Sequence, residues 1–234
     1  MDGIIVIDKP KGPTSHDIVD IVRRTFNIKK VGHAGTLDPM ATGVLVILTG
    51  KCTKESGRFS SDDKEYEAEL TLGATSDTED AEGVITVSGK AIDPDPVRIK
   101  EAFRAFLGPI EQVPSAYSAV KHKGKKLYEL ARKGIRVEIE PRRITISRLD
   151  ITEISLPKVK FCVTCSKGTY IRKLAADIGQ RLGCGAYLSA LRRTRSGKFT
   201  IAEAVTIDKL SALRSAEPPR RAGGASPKGA IPCA

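Results

Sequence analysis

Strand-type and helix-type hydrophobic patterns follow one another along this chain of 234 residues without a regular alternation. Apolar or alternating runs at 3–8, 44–48 and 66–73 predict strands, because every second residue of a strand faces the same side. Further β segments are expected, two or three of them within 135–166 and one at 187–195. An irregular order of this kind favours the α+β class, with a mixed, mostly antiparallel sheet flanked by helices and loops.

Helix signals lie between these strands. Thr14 and Asp17 have the spacing of a capping box ahead of an apolar stripe. Asp95 and Pro96 mark a second helix start, and Gly108 is expected to end that helix. Three more helices are predicted at 125–133, 168–183 and 206–214.

The formal net charge of +11 indicates a polyanionic partner. The cations cluster, and no basic amphipathic helix with bulky apolar residues opposite accompanies them, so nucleic acid is favoured over a membrane. No apolar run reaches the roughly 20 residues that span a bilayer, and no leader is recognisable. We therefore expect a cytoplasmic protein. The four clusters are 121–126, 132–136, 141–143 and 192–198.

Nothing in the sequence predicts a metal site or a cofactor. The five cysteines have no framework spacing, and Cys162 and Cys165 fall on opposite faces of a predicted strand, as reduced, packed thiols. The three histidines are scattered, and the chain has neither a phosphate-binding loop nor a dinucleotide fingerprint. Any catalysis would rest on a few side chains.

Asp38 is the most informative acid, because it lies in the small-residue stretch GHAGTLDPMATG at 32–43. Pro39 biases the backbone of Asp38 away from the helical region. Local chemistry alone favours a turn. The alternative is a carboxylate that must approach a substrate closely, with Gly32, Gly35 and Gly43 admitting something large.

Longer motifs decide between these interpretations. The stretch at 32–54 resembles the signature loop of the TruB-type pseudouridine synthases, and four further stretches resemble that family's motifs in the same order. The resemblance implies the pseudouridine synthase fold and isomerisation of uridine-55 in the T-loop of tRNA, with flipping of the target base and no cofactor. The further stretches are 8–19, whose counterpart buttresses the catalytic loop, 64–83, the RNA-facing 117–134, and 165–199.

The resemblance assigns roles to six residues. Asp38 is the nucleophile, and Arg172 pairs with it, which favours the ionised carboxylate. Whether C6 of the base or C1′ of the ribose is attacked stays open. The other assignments are Tyr170 as a catalytic pocket tyrosine, His33 as an RNA contact beside the flipped nucleotide, Tyr66 as the ring that stacks on the base, and Leu191 as an apolar pocket residue. Without the motifs, Arg172 would be a surface cation, and Tyr66 and Leu191 core residues.

The resemblance also predicts the domain organisation. A catalytic domain is expected over 1–214, with an RNA-binding insert at about 111–143. A disordered tail should occupy 215–234, with no C-terminal PUA-like domain. Ser115 and Ala116 stand where the family usually has proline and methionine, a departure interpreted as local and remote from catalysis.

Two other functions are compatible with parts of this pattern. A guide-RNA-dependent pseudouridine synthase shares the loop, and a non-catalytic tRNA-binding chaperone would share the basic surface. The stand-alone enzyme is favoured because the RNA-facing insert is present and Asp38, Tyr66 and Arg172 are all intact. We expect a monomer that binds the T-arm of tRNA without a guide RNA or a membrane.

Overall fold

A computed structural model describes residues 2–92, 95–118, 120–122, 124–131, 133–135 and 137–215. The tail predicted from residue 215 lies outside the described residues, apart from Ser215 itself. The helices are α1 (Ser15–Phe26), α2 (Ser56–Ser60), α3 (Pro96–Arg104), α4 (Leu127–Ala131), α5 (Ile171–Leu182) and α6 (Ile207–Ser215).

Antiparallel pairs predominate in the sheets, and one parallel pair joins residues 42–43 to residues 192–193, so the predicted α+β class with a mixed, mostly antiparallel sheet is confirmed. The strands are β1 (Gly3–Lys9), β2 (Val31–Ala34), β3 (Thr42–Thr49), β4 (Lys64–Leu72), β5 (Ala74–Ser76), β6 (Ile85–Val87), β7 (Gly108–Gln112), β8 (Lys121–His122), β9 (Lys125–Lys126), β10 (Arg142–Ser155), β11 (Lys158–Cys165), β12 (Ala186–Ser196) and β13 (Phe199–Thr200).

The described residues divide into two compact units. The first contains the chain up to Tyr66 and from Arg192 onward, and the second is Glu67–Leu191. In the first unit the strand order is β1-β3-β12-β4, with β2 beside β3 and β13 beside β12. Strand β3 is buried from Gly43 to Thr49, because β1 and β2 flank it on opposite edges and the core packs on its faces.

The second unit has the strand order β12-β4-β11-β10-β7, together with the hairpins β5–β6 and β8–β9. Helix α5, predicted at 168–183, presents the apolar face of Ile171, Leu174 and Ile178 to this core. Phe103 of α3 meets Phe161 of β11 edge-on, with ring centroids 5.3 Å apart. This arrangement fixes α3 against the sheet.

Local signals placed the starts of α1 and α3 correctly. Thr14 and Asp17 form the predicted capping box, and the hydrogen bonds from Thr14 lower the pKa of Asp17. Asp95 caps α3 through the Val97 N–H. Helix α3 ends at Arg104 instead of at Gly108, because β7 begins at that glycine and pairs with β10.

The region 135–166 contains two strands, and the first begins only at Arg142. Among the described cysteines, Cys165 is buried and Cys162 half-buried on β11, and both are free thiols, as predicted. None of the helices within the described ranges is both long and apolar enough to cross a membrane.

Candidate active site

Asp38 heads a tight turn in the loop between β2 and β3. Its carbonyl accepts a hydrogen bond from the Ala41 N–H at 3.0 Å, with Pro39 at the second turn position. The side chain of Asp38 is half-buried. The turn expected from local sequence is therefore present, and its hydrogen bond uses the backbone carbonyl of Asp38 and not the carboxylate.

Arg193, a residue of the first unit, holds the part of this loop that directly follows β2. Its side chain is 1% exposed. Its guanidinium donates to the carbonyl of Gly35 at 3.0 Å, of Thr36 at 3.3 Å and of Val44 at 2.7 Å. A planar fork with five donors can hold three backbone groups in a fixed geometry.

The N-terminal motif holds the other half. The Lys9 ammonium is fully buried and donates to the carbonyls of Ala41 at 2.7 Å and Pro39 at 3.2 Å. The Ser15 hydroxyl, at the start of α1, donates to the Leu37 carbonyl at 2.9 Å and accepts from the Leu37 N–H at 2.8 Å. The predicted buttressing of the loop by residues 8–19 is confirmed.

Replacing Ser15 by alanine is expected to destabilise the fold by about 1–3 kcal/mol, because both backbone groups of Leu37 lose a buried partner. The exposed Ser61, whose hydroxyl donates to the Gly57 carbonyl, provides the matched control. Urea unfolding of Ser15→Ala and Ser61→Ala measures the difference. Equal midpoints for the two variants would contradict this role of Ser15.

The three glycines of the loop differ in what surrounds them, and Gly43 serves the packing of the chain itself. Gly43 has a φ of +99°, and a Cβ atom there would lie 2.2 Å from the Arg193 carbonyl oxygen. Gly35 has a φ of +92° and faces the Arg193 guanidinium, whereas Gly32 has open space around it. The interpretation of these glycines as admitting something large is wrong for Gly43, where the neighbour is the chain itself.

His33 and Tyr66 are the other predicted site residues of the first unit. His33 lies on β2, and burial, followed by the charges of Arg193 and His16, lowers the pKa of its imidazole. Its Nδ1 is buried with no hydrogen-bond partner among the described residues, so the ring is neutral at neutral pH. Tyr66 lies on β4 and is half-buried, on the face that also carries Ala68.

Arg172 lies at the start of α5 in the second unit and is 5% exposed, so it is not a surface cation. Its Nε lies 3.5 Å from Oδ2 of the equally buried Asp80. Its terminal nitrogens donate to the Thr78 and Tyr117 carbonyls, each at 2.9 Å, and to the Ser115 hydroxyl at 3.4 Å. Pairing with Asp38 would join the two units and stays a prediction.

Tyr170 and Leu191 complete the predicted set. Tyr170 is the N-cap residue of α5, and its backbone is held at both ends by the Gln112 side chain, at 2.8 Å through the N–H and 3.1 Å through the carbonyl. Its half-buried ring is thereby placed at the helix start. Leu191 is buried on β12. That these two side chains line the pocket stays a prediction.

Three of the four cations in one basic cluster have partners within the chain, and the fourth, Lys198, is exposed. Within 192–198, Arg192 donates both terminal nitrogens to Asp8, at 2.8 and 3.1 Å. Arg193 is buried in the loop, and Arg195 pairs with Glu65 at 2.7 Å. The prediction that this cluster binds phosphates is wrong for Arg193, and Arg192 and Arg195 already have carboxylate partners.

The residues that hold the Asp38 loop and Arg172 in place were not identified from the sequence. Arg193, Lys9 and Ser15 lie inside motifs that the resemblance covers, but no spacing rule shows which side chain turns inward. Asp80 lies in the stretch 64–83, in which the resemblance assigns a role only to Tyr66. Within the described residues no group of three histidine, cysteine, aspartate or glutamate side chains could hold a metal ion.

Comparison with known proteins identifies the family. The family model described as TruB family pseudouridylate synthase, N-terminal domain, matches residues 23–171, which is more than half of the chain. The chain belongs to the TruB family. The model of the tRNA pseudouridylate synthase B C-terminal domain matches residues 172–220. The border between these two matches falls inside α5, so it is not the border of a compact unit.

Individual members of the TruB family match over nearly the whole chain. The tRNA pseudouridine synthase B of Opitutus terrae is 48% identical over 91% of this chain and 88% of its own length. The protein of the same name from Alkaliphilus oremlandii is 51% identical over 93% and 72%. That from Syntrophus aciditrophicus is 50% identical over 90% and 67%.

Solved structures share the fold, so the predicted pseudouridine synthase fold is confirmed. A chain of a Cbf5–Nop10–Gar1 complex superposes with a TM-score of 0.72 at 33% identity, covering 91% of this chain and 54% of that chain. A chain of an archaeal box H/ACA sRNP Nop10–Cbf5 complex gives 0.68 at 31% identity, covering 90% and 53%. This TruB-family chain therefore spans about half the length of each of these two chains.

Proposed function

We propose that this protein converts uridine-55 in the T-loop of tRNA to pseudouridine, with Asp38 as the nucleophile. The observation that carries the proposal is the loop around Asp38. The carbonyls of Gly35, Thr36, Leu37, Asp38, Pro39 and Ala41 all accept hydrogen bonds from within the first unit. A loop fixed to this degree holds one carboxylate at a constant position, which nucleophilic attack on a bound base requires.

The chemistry needs no redox partner. Uracil is detached from the ribose at N1 and rejoined through C5, so no electrons are gained or lost overall. Asp38 supplies an oxygen that bonds transiently to C6 of the base or to C1′ of the ribose. A bond to C1′ breaks as C5 attacks that carbon, and a bond to C6 breaks after C5 has been joined to the ribose. The proton at C5 is lost in exchange for one at N1, which is why tritium at C5 reports turnover.

The target base must leave its stack before a carboxylate reaches it. Tyr66 offers a half-buried ring on β4, and base–aromatic stacking contributes about 1–3 kcal/mol per base. Neutral His33 is suited to a hydrogen bond with the RNA without adding a charge. We propose that these two residues hold the flipped nucleotide, with Tyr170 and Leu191 lining the pocket.

We further propose that the enzyme acts on tRNA without a guide RNA. The support is that this chain is more similar in sequence to one group of relatives than to the other. The relatives named tRNA pseudouridine synthase B are about half identical to it, whereas the chains from Cbf5 complexes are about one third identical. The free thiols at Cys52, Cys162, Cys165 and Cys184 suit a reducing cytoplasm. We also propose that the protein acts as a monomer.

The test uses the purified full chain and a tRNA transcript labelled with tritium at C5 of its uridines. Release of one tritium per tRNA, lost when uridine-55 is replaced by cytidine, is the expected result. Addition of a guide RNA should change nothing. A chaperone would bind the transcript without releasing tritium, and release at another position would overturn the assignment to uridine-55.

Binding of tRNA is expected to weaken steeply with salt, with a slope of about −0.7 to −0.9 per neutralised phosphate in a log–log plot. The exposed cations Arg142 and Arg143 at the start of β10 are candidates for such contacts. Replacing both by alanine should make the slope shallower by about one to two. Arg148→Ala, on the same strand but already paired with Asp150, should leave it unchanged. Identical slopes for all variants would exclude these two cations.

A further inference from the structure

Gln112 is a buried polar residue to which the proposed reaction assigns no role. It is the last residue of β7, lies opposite Arg142 of β10, and is 3% exposed. Burying a side-chain amide costs free energy unless its oxygen and its nitrogen both find hydrogen-bond partners. Both partners are backbone groups of Tyr170, 58 positions further along the chain.

The Gln112 side chain pairs with Tyr170 as a neighbouring strand would. Its Oε1 accepts from the Tyr170 N–H at 2.8 Å, and its Nε2 donates to the Tyr170 carbonyl at 3.1 Å. A primary amide carries a donor and an acceptor side by side, so it can pair with both backbone groups of one residue. The opposite orientation of the amide would set donor against donor and acceptor against acceptor. Tyr170 therefore fixes which way the amide points.

This contact holds the start of α5 from outside the helix. Tyr170 occupies the N-cap position, and within the described residues its own side chain caps no backbone N–H. Its carbonyl also accepts a helical hydrogen bond from the Leu174 N–H at 3.0 Å. The backbone of Tyr170 is extended, with φ −98° and ψ 107°. Because the N–H precedes these two dihedrals and the carbonyl follows them, holding both groups restricts φ and ψ together.

The residues that follow Gln112 contact Arg172, the second predicted catalytic residue at the start of α5. The Tyr117 carbonyl accepts from one terminal nitrogen of the guanidinium at 2.9 Å, and the Ser115 hydroxyl accepts from the other at 3.4 Å. The stretch 112–117 thus contacts both Tyr170 and Arg172. The departure at Ser115, interpreted from sequence as remote from catalysis, is in contact with a predicted catalytic residue, so that interpretation is wrong.

We propose that Gln112 is a positioning residue of the isomerisation. Its amide fixes the backbone of Tyr170, and thereby the direction of the Tyr170 ring and the placement of Arg172 two residues further along. The inference rests on the function proposed above. Without the amide, the Tyr170 N–H loses its partner and both dihedrals gain freedom. A displacement of about 1 Å at a catalytic site can lower a rate about a hundredfold.

The first test compares Gln112→Met with Gln180→Met in steady-state tritium release from tRNA. Methionine has nearly the length of glutamine but no donor, and its sulfur is a weak acceptor. Gln112→Met should therefore lower kcat by about ten- to a hundredfold, with KM unchanged. Gln180 is an exposed glutamine of the same helix, so its variant should match wild type. Rates are compared under conditions in which urea unfolding shows every variant to be folded.

Gln112→Glu separates positioning from stability. An ionised carboxylate accepts from the Tyr170 N–H but has no donor for the Tyr170 carbonyl, whereas a protonated carboxyl restores the donor and acceptor of the amide. The rate of Gln112→Glu relative to wild type should therefore be low at alkaline pH and rise as the pH falls. The relative rate of Gln112→Met should stay constant.

The ratio to wild type removes the titration of groups that both proteins share. The charged neighbours are Glu111 beside Gln112 on β7, Arg142 opposite it on β10, and Arg172 and Lys173 near Tyr170 on α5. If the amide served only stability, acid would raise the urea midpoint of Gln112→Glu without raising its relative rate.

Each outcome decides between the two proposals. If wild type and Gln180→Met release tritium and Gln112→Met reacts at the wild-type rate, the inference is overturned and the proposed function stands. A relative rate of Gln112→Glu that does not change from mildly acidic to alkaline pH overturns it as well. If Gln112→Met does not fold, Gln112→Glu alone carries the test. An inactive wild type would contradict the proposed function itself.

Discussion

Asparagine in place of Asp38 is expected to abolish tritium release while leaving the affinity for tRNA largely unchanged. The amide has nearly the same shape, and hydrogen bonds to the backbone of residue 38 and its neighbours hold the loop in place. It lacks the anionic oxygen that can bond to the substrate. Affinity is dominated by phosphate contacts, which this exchange does not touch.

The measurement pairs single-turnover tritium release with filter binding of the same tRNA. Asp20→Asn, on the partly exposed surface of α1, controls for the loss of one negative charge. Residual turnover of Asp38→Asn within about tenfold of wild type, a barrier difference of about 1.4 kcal/mol, would exclude Asp38 as the nucleophile. A variant that failed to bind tRNA would instead place Asp38 in substrate recognition.

The features that sequence predicted well are those fixed by neighbouring residues. Two examples are the capping box of Thr14 and Asp17 and the alternation of buried residues along β4. Both depend on residues that are close in sequence within one element, so they can be predicted from the sequence. The turn at Asp38 follows from Pro39 in the same way. Asp38 becomes a candidate nucleophile only through the longer motifs.

The features that sequence did not predict depend on long-range contacts. Arg193 and Gly35 are separated by 158 positions, and nothing near either residue shows that one holds the other. For the same reason, a cluster at 192–198 was interpreted as phosphate-binding when the fold turns Arg193 inward and pairs Arg192 and Arg195 with carboxylates. A count of charges cannot distinguish an exposed cation from one that holds a loop.

Replacing Arg172 is expected to have the second largest effect, and the structure shows that two causes must be separated. Arg172→Met leaves the buried Asp80 without its cation, which costs about 3–5 kcal/mol for a broken buried pair. It also removes the guanidinium that is predicted to stabilise Asp38. A loss of turnover in the single variant could therefore report unfolding alone.

The double variant Arg172→Met/Asp80→Asn separates these causes. The asparagine oxygen can still accept from the Thr78 hydroxyl and the Glu82 N–H, as Asp80 does at 2.6 and 3.0 Å, but it carries no charge that needs a partner. We expect the double variant to recover most of the free energy of unfolding, measured in urea. Its single-turnover tritium release should remain at least about a hundredfold slower than that of wild type. A loss of this size is typical when one preorganised electrostatic contact is removed. Asp80→Asn alone keeps Arg172 in the site and should retain more activity than the double variant. If turnover returned together with stability, Arg172 would be needed only to neutralise Asp80, and its pairing with Asp38 would be excluded.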